Sequence, residues 1–200
     1  MDAKTRKSEL TRAAIIDAAL ELARSRGIAA ISMRSIADSL QISKSGVFSR
    51  VGSIEALQQA VIEEYGRRFF AEVFLPAMKQ PRGLPRLNAI MERWLQWFVS
   101  SDHTAGALHE AAAFSTDPMD AVIVAAIRDS LQSWVSTTRR TVVQAMQEGH
   151  LRADMDPDDL LYEMHSLLLG VLFGHAFLHD RKVVARCQRS YQRLISNYLP

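Results

Sequence analysis

The sequence predicts an all-α protein of about nine helices: an N-terminal helix-turn-helix domain of three helices, followed by a larger helical domain. Three observations predict this. Ser32 to Val51 divides into two short amphipathic segments, each preceded by a serine placed to cap it. Beyond residue 53 the apolar residues recur every three to four positions, with no run of strict alternation. Glycines and prolines fall between these periodic stretches, at Gly27, Pro76 to Pro85, Ser115 to Pro118, and Gly149.

Within the first domain, Thr11 to Gly27 carries Ile15, Ile16, Ala19, Leu22 and Ala23 on one helical stripe, and Gly27 is its stop. Ser32 caps a helix from Met33 to Leu40, whose stripe is Ile36, Ala37 and Leu40. Gln41 and Ile42 make the turn. Ser43 caps a third helix from Lys44 to about Arg50, with Val47 and Val51 facing inward. Lys44, Ser45, Gly46, Phe48, Ser49 and Arg50 remain on the outer side. A short exposed helix with a cation at each end and small polar residues between them suits the DNA major groove. Three helices with the third exposed make a homeodomain-like bundle. Residues 1 to 8 are polar and are expected to be mobile; Lys4, Arg6 and Lys7 are either a basic arm for phosphates or a frayed terminus.

Residues 11 to 57 resemble the DNA-binding domain of the TetR family of bacterial transcriptional regulators. The resemblance rests on T-R-x-x-I-I-x-A-A-x-x-L, the terminating Gly27, S-M-R-S-I-A, S-K-S-G-V-F and S-I-E-A-L, in that order and spacing. It implies a helical ligand-binding and dimerisation domain downstream, and so a division into residues 1–55 and 56–200. Several positions depart from the family pattern. Gln41 stands where glycine is usual, Val51 where an aromatic is usual, and Ile54 where a lysine helps hold phosphate. Phe48 replaces a common tyrosine and Arg50 a common histidine or tyrosine. Thr11, Arg12 and Arg34, early in their helices, join Ser43 and the outer face of the third helix as expected DNA contacts.

Composition agrees. Residues 1 to 53 hold nine Lys/Arg against five Asp/Glu, and the remainder fifteen against seventeen, so the excess of cations sits at the proposed DNA-binding end. The single cysteine, Cys187, excludes an intramolecular disulfide framework and fits a reducing cytoplasm. No N-terminal stretch resembles a signal peptide, and the apolar run Leu167 to Leu178 is too short to span a bilayer.

In the second domain, Ser53 caps a fourth helix that runs towards Pro76 and touches both domains. Residues 86 to 100 carry Trp94, Trp97 and Phe98. A weaker alanine-rich helix, Thr104 to Phe114, carries His109 and leaves room for a pocket. A long helix follows from Met119 to Glu148, with Trp134 on its stripe. A helix from Pro157 to Leu178 is apolar nearly all round, and the last runs from Arg181 to Tyr198. Trp94, Trp97, Phe98, His109, Phe114, Trp134, His165 and Phe173 are the expected lining of a cavity for a small apolar or aromatic effector. The last two helices offer more apolar surface than one subunit needs. They are expected to pair with a second copy as a four-helix bundle through Leu168, Val171, Leu172, Tyr191, Leu194 and Ile195. Such a dimer sets two reading helices roughly 34 Å apart, one DNA turn or a multiple of it, and demands a near-palindromic operator.

The sequence holds no Gly-rich phosphate loop, nucleophile elbow or HExxH motif, and no cofactor or enzymatic activity is expected. His175 and His179 have metal-ligand spacing but no third ligand, and Asp154, Asp156, Asp158 and Asp159 read as a solvated turn. The function expected is a ligand-responsive, homodimeric transcriptional repressor in the cytoplasm. The competing reading is a helical dimer that binds a small molecule and has lost DNA binding.

Overall fold

A computed structural model describes residues 3–100, 108–113 and 119–200. Among these there are nine helices and no strand. The described residues of 1–68 and 107–131 form one compact unit, and those of 69–106 and 132–200 a second.

In the first unit, α1 spans Ala3–Arg26, starting eight residues before Thr11, where the sequence places its beginning. The segment expected to be mobile is therefore helical from Ala3. The reason is local: Ala, Lys, Arg and Glu are good helix formers, and no glycine or proline interrupts them. The side chains of Lys4, Arg6 and Lys7 lie outside the described ones. Gly27, at φ 84°, ends the helix and its N–H reaches the Ala23 carbonyl at 2.8 Å. A single 3-10 turn, Ile28–Ala30, leads to α2, Met33–Leu40. Ser32 and Ser35 cap α2 reciprocally: Ser35 N–H donates to the Ser32 hydroxyl at 3.0 Å, and Ser32 N–H to the Ser35 hydroxyl at 3.1 Å.

Gln41 closes α2 in the left-handed region, φ 54° and ψ 40°, and the Ile42 N–H folds back to the Ala37 carbonyl at 3.1 Å. This is the Schellman arrangement, which favours glycine at the left-handed position. Gln41→Gly is therefore expected to raise stability by about 0.5–1 kcal/mol, read as a higher denaturation midpoint. The third helix, α3, spans Lys44–Val51, and α4 spans Ile54–Phe69. The Ser53 hydroxyl caps α4 by accepting from Ala56 N–H at 3.1 Å. The core beneath is Ile15, Ala19, Leu20, Ile28, Ile31, Ile36, Val47, Leu57 and Val61, all buried. Val51 is only half-buried, as a small residue in an aromatic's place should be. Arg68 on α4 ties back to α1, bonding both Glu64 and Asp17. Also in this unit are α6, Leu108–Ala113, and the first half of α7, which spans Ala121–Gln147.

The second unit begins with a π-helical turn, Phe70–Phe74, and a short continuation, Leu75–Ala77. Between α4 and α7 lie α5, Leu84–Val99, and then α6. Asp156 caps α8, Pro157–Leu172, accepting from Asp158 N–H at 2.8 Å with proline at the first helical position. A second π turn, Phe173–Phe177, follows, and α9 spans Val183–Ser196. α8 packs against both α5 and α9. Gly174 permits a close approach to α9, since a Cβ there would lie 2.5 Å from Val183 Cγ2. Counted with its π turn, Pro157–Phe177 is 21 residues long and apolar enough by length and composition to cross a membrane. The shorter run read from sequence missed this. The segment is amphipathic, though: Leu160, Leu161, Met164, Leu168 and Val171 pack inward, while Asp158, Asp159 and Glu163 are exposed.

Candidate nucleic-acid interface and effector-binding core

At 100° per residue, Lys44, Phe48, Ser45 and Ser49 fall on one arc of α3, with Val47 fully buried on the other side. All four are exposed. Arg50 is exposed outside that arc, about 100° past Ser49, and its guanidinium donates to the Ser49 hydroxyl at 3.3 Å. Ser43 serves as the cap: its hydroxyl accepts from Gly46 N–H at 3.0 Å. That explains Gly46, because a Cβ there would sit 3.0 Å from the same oxygen. Ser45 shares a hydrogen bond with Ser43 at 3.1 Å, and Ser49 donates to the Gly46 carbonyl at 3.0 Å. The serines thus rigidify the helix. Arg12 is exposed on α1 and Thr11 half-buried; because α1 starts at Ala3, both lie more than two turns into the helix rather than early in it, which leaves their side chains and not free backbone N–H groups for phosphate. Arg34 is exposed on α2, 3.8 Å from Asp38, a solvated pair that leaves the guanidinium accessible to phosphate.

In the second unit the aromatics converge. Phe69 stacks on Trp134 with ring centroids 3.7 Å apart, and meets Trp94 and Trp97 edge-on at 5.0 and 5.5 Å. Phe98 lies 6.4 Å from Trp94, and His165 contacts Trp94 edge-on at 5.3 Å. Burial lowers the His165 pKa, opposed by a backbone hydrogen bond at Leu161, so the ring is neutral at pH 7. The Trp94 indole N–H is buried with no hydrogen-bond partner among the described residues. Trp94, Trp97, Phe98, Trp134 and His165, expected to line a pocket, therefore form one cluster, and Phe69 and Phe74 join them. Phe173 does not: it is 58% exposed on the outer side of its π turn. Phe114 lies outside the described residues.

His109 belongs to the first unit, packed edge-on against Tyr65 at 4.7 Å. Burial holds its pKa down at about 3. Its neighbour Glu110 is buried too, with Oε2 lacking a hydrogen-bond partner among the described residues, and desolvation pushes its pKa up to about 7. The sequence places Glu110 beside His109 on this helix but does not mark it as buried, because an alanine-rich helix shows no stripe that separates its inner from its outer side.

Leu168, Val171, Tyr191, Leu194 and Ile195, expected at a contact between copies, are buried inside the single subunit, and Leu172 is half-buried. Within α8 and its π turn the large apolar side chains left outside are Tyr162 at 75%, Leu169 at 40%, Phe173 at 58% and Phe177 at 73% exposure. They follow one another at helical spacing along α8 and its π turn.

A capped helix-turn-helix carrying an exposed cationic helix, in one chain with an aromatic-cored helical unit, defines a DNA-binding regulator. The comparisons with known proteins agree. Residues 15–61 match the family model for bacterial regulatory proteins of the tetR family, and residues 83–191 match the tetracyclin repressor-like C-terminal domain. The chain belongs to the TetR family of transcriptional regulators. No curated protein matches it. Among solved structures it is similar to a TetR-family regulator from Cytophaga hutchinsonii, at 17% identity, 96% coverage of each chain and a TM-score of 0.79. It is also similar to FadR from Bacillus subtilis in complex with stearoyl-CoA, at 13% identity, covering 92% of this chain and 97% of that one, TM-score 0.73. A third is AibR in complex with isovaleryl coenzyme A and operator DNA, at 19% identity, covering 94% of this chain and 98% of that one, TM-score 0.69.

Proposed function

We propose that this protein is a cytoplasmic, homodimeric repressor that binds a near-palindromic operator and is released by a small, largely apolar effector. The observation that carries the reading is the exposed face of α3, rigidified by its serine cap and fringed by Lys44 and Arg50. Arg12, Arg34 and Thr11 supply phosphate contacts from α1 and α2. Residues 1–55 do the reading and residues 56–200 bind effector and partner. The aromatic cluster around Trp94 and Trp134 supports an apolar effector, with the Trp94 N–H and neutral His165 as its polar handles. FadR and AibR, in the complexes named above, hold acyl-CoA molecules, which fits an effector with an acyl chain. The effector acts only through its difference in affinity between DNA-bound and free states.

For the dimer, the exposed stripe of Tyr162, Leu169, Phe173 and Phe177 supports pairing through α8. Gly170, exposed and with nothing near its would-be Cβ, leaves room for a close helix. Phe173→Asp is expected to give a monomer at micromolar concentration by sedimentation, with helicity unchanged, where the unaltered chain is a dimer. A dimeric Phe173→Asp places the contact elsewhere.

The experiment for the whole reading selects bound sequences from random duplexes and then screens acyl thioesters and free fatty acids for release. The competing reading, a small-molecule binder without DNA activity, draws on the strained Gln41 and the half-buried Val51 and Ile54. It predicts effector binding with no sequence selected.

A further inference from the structure

We propose that Phe48 is a base-reading residue, and that each operator half-site contains a thymine whose 5-methyl group packs on its ring. The inference rests on the DNA-binding reading above and specifies its partner.

Between Thr11 and Phe69, Phe48 is the only large apolar side chain left exposed, at 58%. It stands one turn after Lys44, in the middle of the outer arc of α3. Its neighbours on that arc are inward-bonded. The Ser45 hydroxyl is engaged with Ser43 at 3.1 Å, and the Ser49 hydroxyl with the Gly46 carbonyl at 3.0 Å. Neither projects beyond the ring. Arg50 is exposed off the arc, about 100° past Ser49, and is assigned to the backbone of the duplex. The one side chain that projects from within the reading face is therefore an apolar ring, with Lys44 at the edge of the arc.

The floor of the major groove offers donors and acceptors from every base pair but only one apolar group, the thymine methyl. A phenyl ring has no hydrogen bond to give, so any other base edge would lose water contacts against it without compensation. The thymine methyl gains instead, by transfer from water into contact with the ring. One buried methyl corresponds to about fourfold in affinity, so two half-sites correspond to about fifteenfold.

The test uses the duplex obtained by selection with the unaltered protein. Each thymine is replaced in turn by deoxyuridine, symmetrically in both half-sites, which removes only the methyl. The expected result is one position at which this weakens binding by about fifteenfold, with other positions changed less than twofold. Phe48→Ala should weaken binding to the parent duplex by a similar factor and respond equally to thymine and uracil at that position. Phe48→Leu should keep part of the discrimination. Because the side chain is exposed, both variants should retain the thermal midpoint of the parent. A selected duplex indifferent to every uracil replacement overturns the proposal, as does a Phe48→Ala variant that still discriminates. Failure to select any duplex overturns the DNA-binding reading itself, and the proposal with it.

Discussion

Glu110→Gln makes the protein more stable at pH 8, by on the order of 3 kcal/mol, and leaves it nearly unchanged at pH 4. The carboxyl is buried, and desolvation raises its pKa from the ordinary 4.5 to about 7. Between those values the folded chain keeps a proton that the unfolded chain has released. Stability therefore falls as pH rises through that window, and above it the full cost of a buried charge is present. Glutamine keeps the shape and the polarity without the charge.

His109 has the opposite slope. Its pKa is lowered from 6.5 to about 3 by burial, so the unfolded chain takes up a proton that the folded chain refuses. Stability thus falls as pH drops below 6.5. In the parent protein the two trends oppose each other between pH 4.5 and 6.5 and the profile is flat there. In Glu110→Gln the His109 slope stands alone, and stability climbs steadily across the same range. Denaturation midpoints at intervals from pH 4 to 8 check both. A Glu110→Gln variant less stable than the parent at pH 8 contradicts the assignment.

Trp134→Ala is expected to cost about 3–5 kcal/mol, the usual range for removing a buried large aromatic. Trp134 is almost fully buried, and it stacks on Phe69 and meets Trp94 edge-on at 6.1 Å. Truncation removes the surface on which Phe69 rests as well as its own contacts. Trp134→Phe retains a stacking partner and should lose less than half as much. If the cluster also receives the effector, Trp134→Phe weakens effector binding more than it weakens the fold. Calorimetric titration with the effector found by screening, beside denaturation of the same variants, separates the two effects. A Trp134→Ala variant within 1 kcal/mol of the parent would contradict the packing.

What could be read from the sequence was mostly local. Ser32, Ser43 and Asp156 announce their helices because a cap needs only a few residues of context. The strained turn at Gln41 follows from a tight connection without glycine. The aromatic cluster followed from periodicity, since Trp94, Trp97 and Phe98 share a face. The start of α1 was not visible in the same way, because Ala3 to Leu10 has helix-forming composition but no apolar stripe. The π turns at Phe70–Phe74 and Phe173–Phe177 leave no sequence mark. Leu168 and Leu169 are adjacent and chemically identical, yet one is buried and the other exposed. In a helix apolar nearly all round, only the packing partners decide which side faces in.

The most direct measurement is the salt dependence of binding to a selected duplex, with the number of chains bound per duplex. Arg12, Arg34, Lys44 and Arg50 on each of two subunits would neutralise about eight phosphates. The expected slope of log affinity against log salt is then roughly −7, with two chains bound per duplex. Arg34→Ala should flatten it by roughly 2, one contact per subunit. A slope near zero, or one that ignores the substitution, would mean that the cations beside α3 do not meet a phosphate backbone.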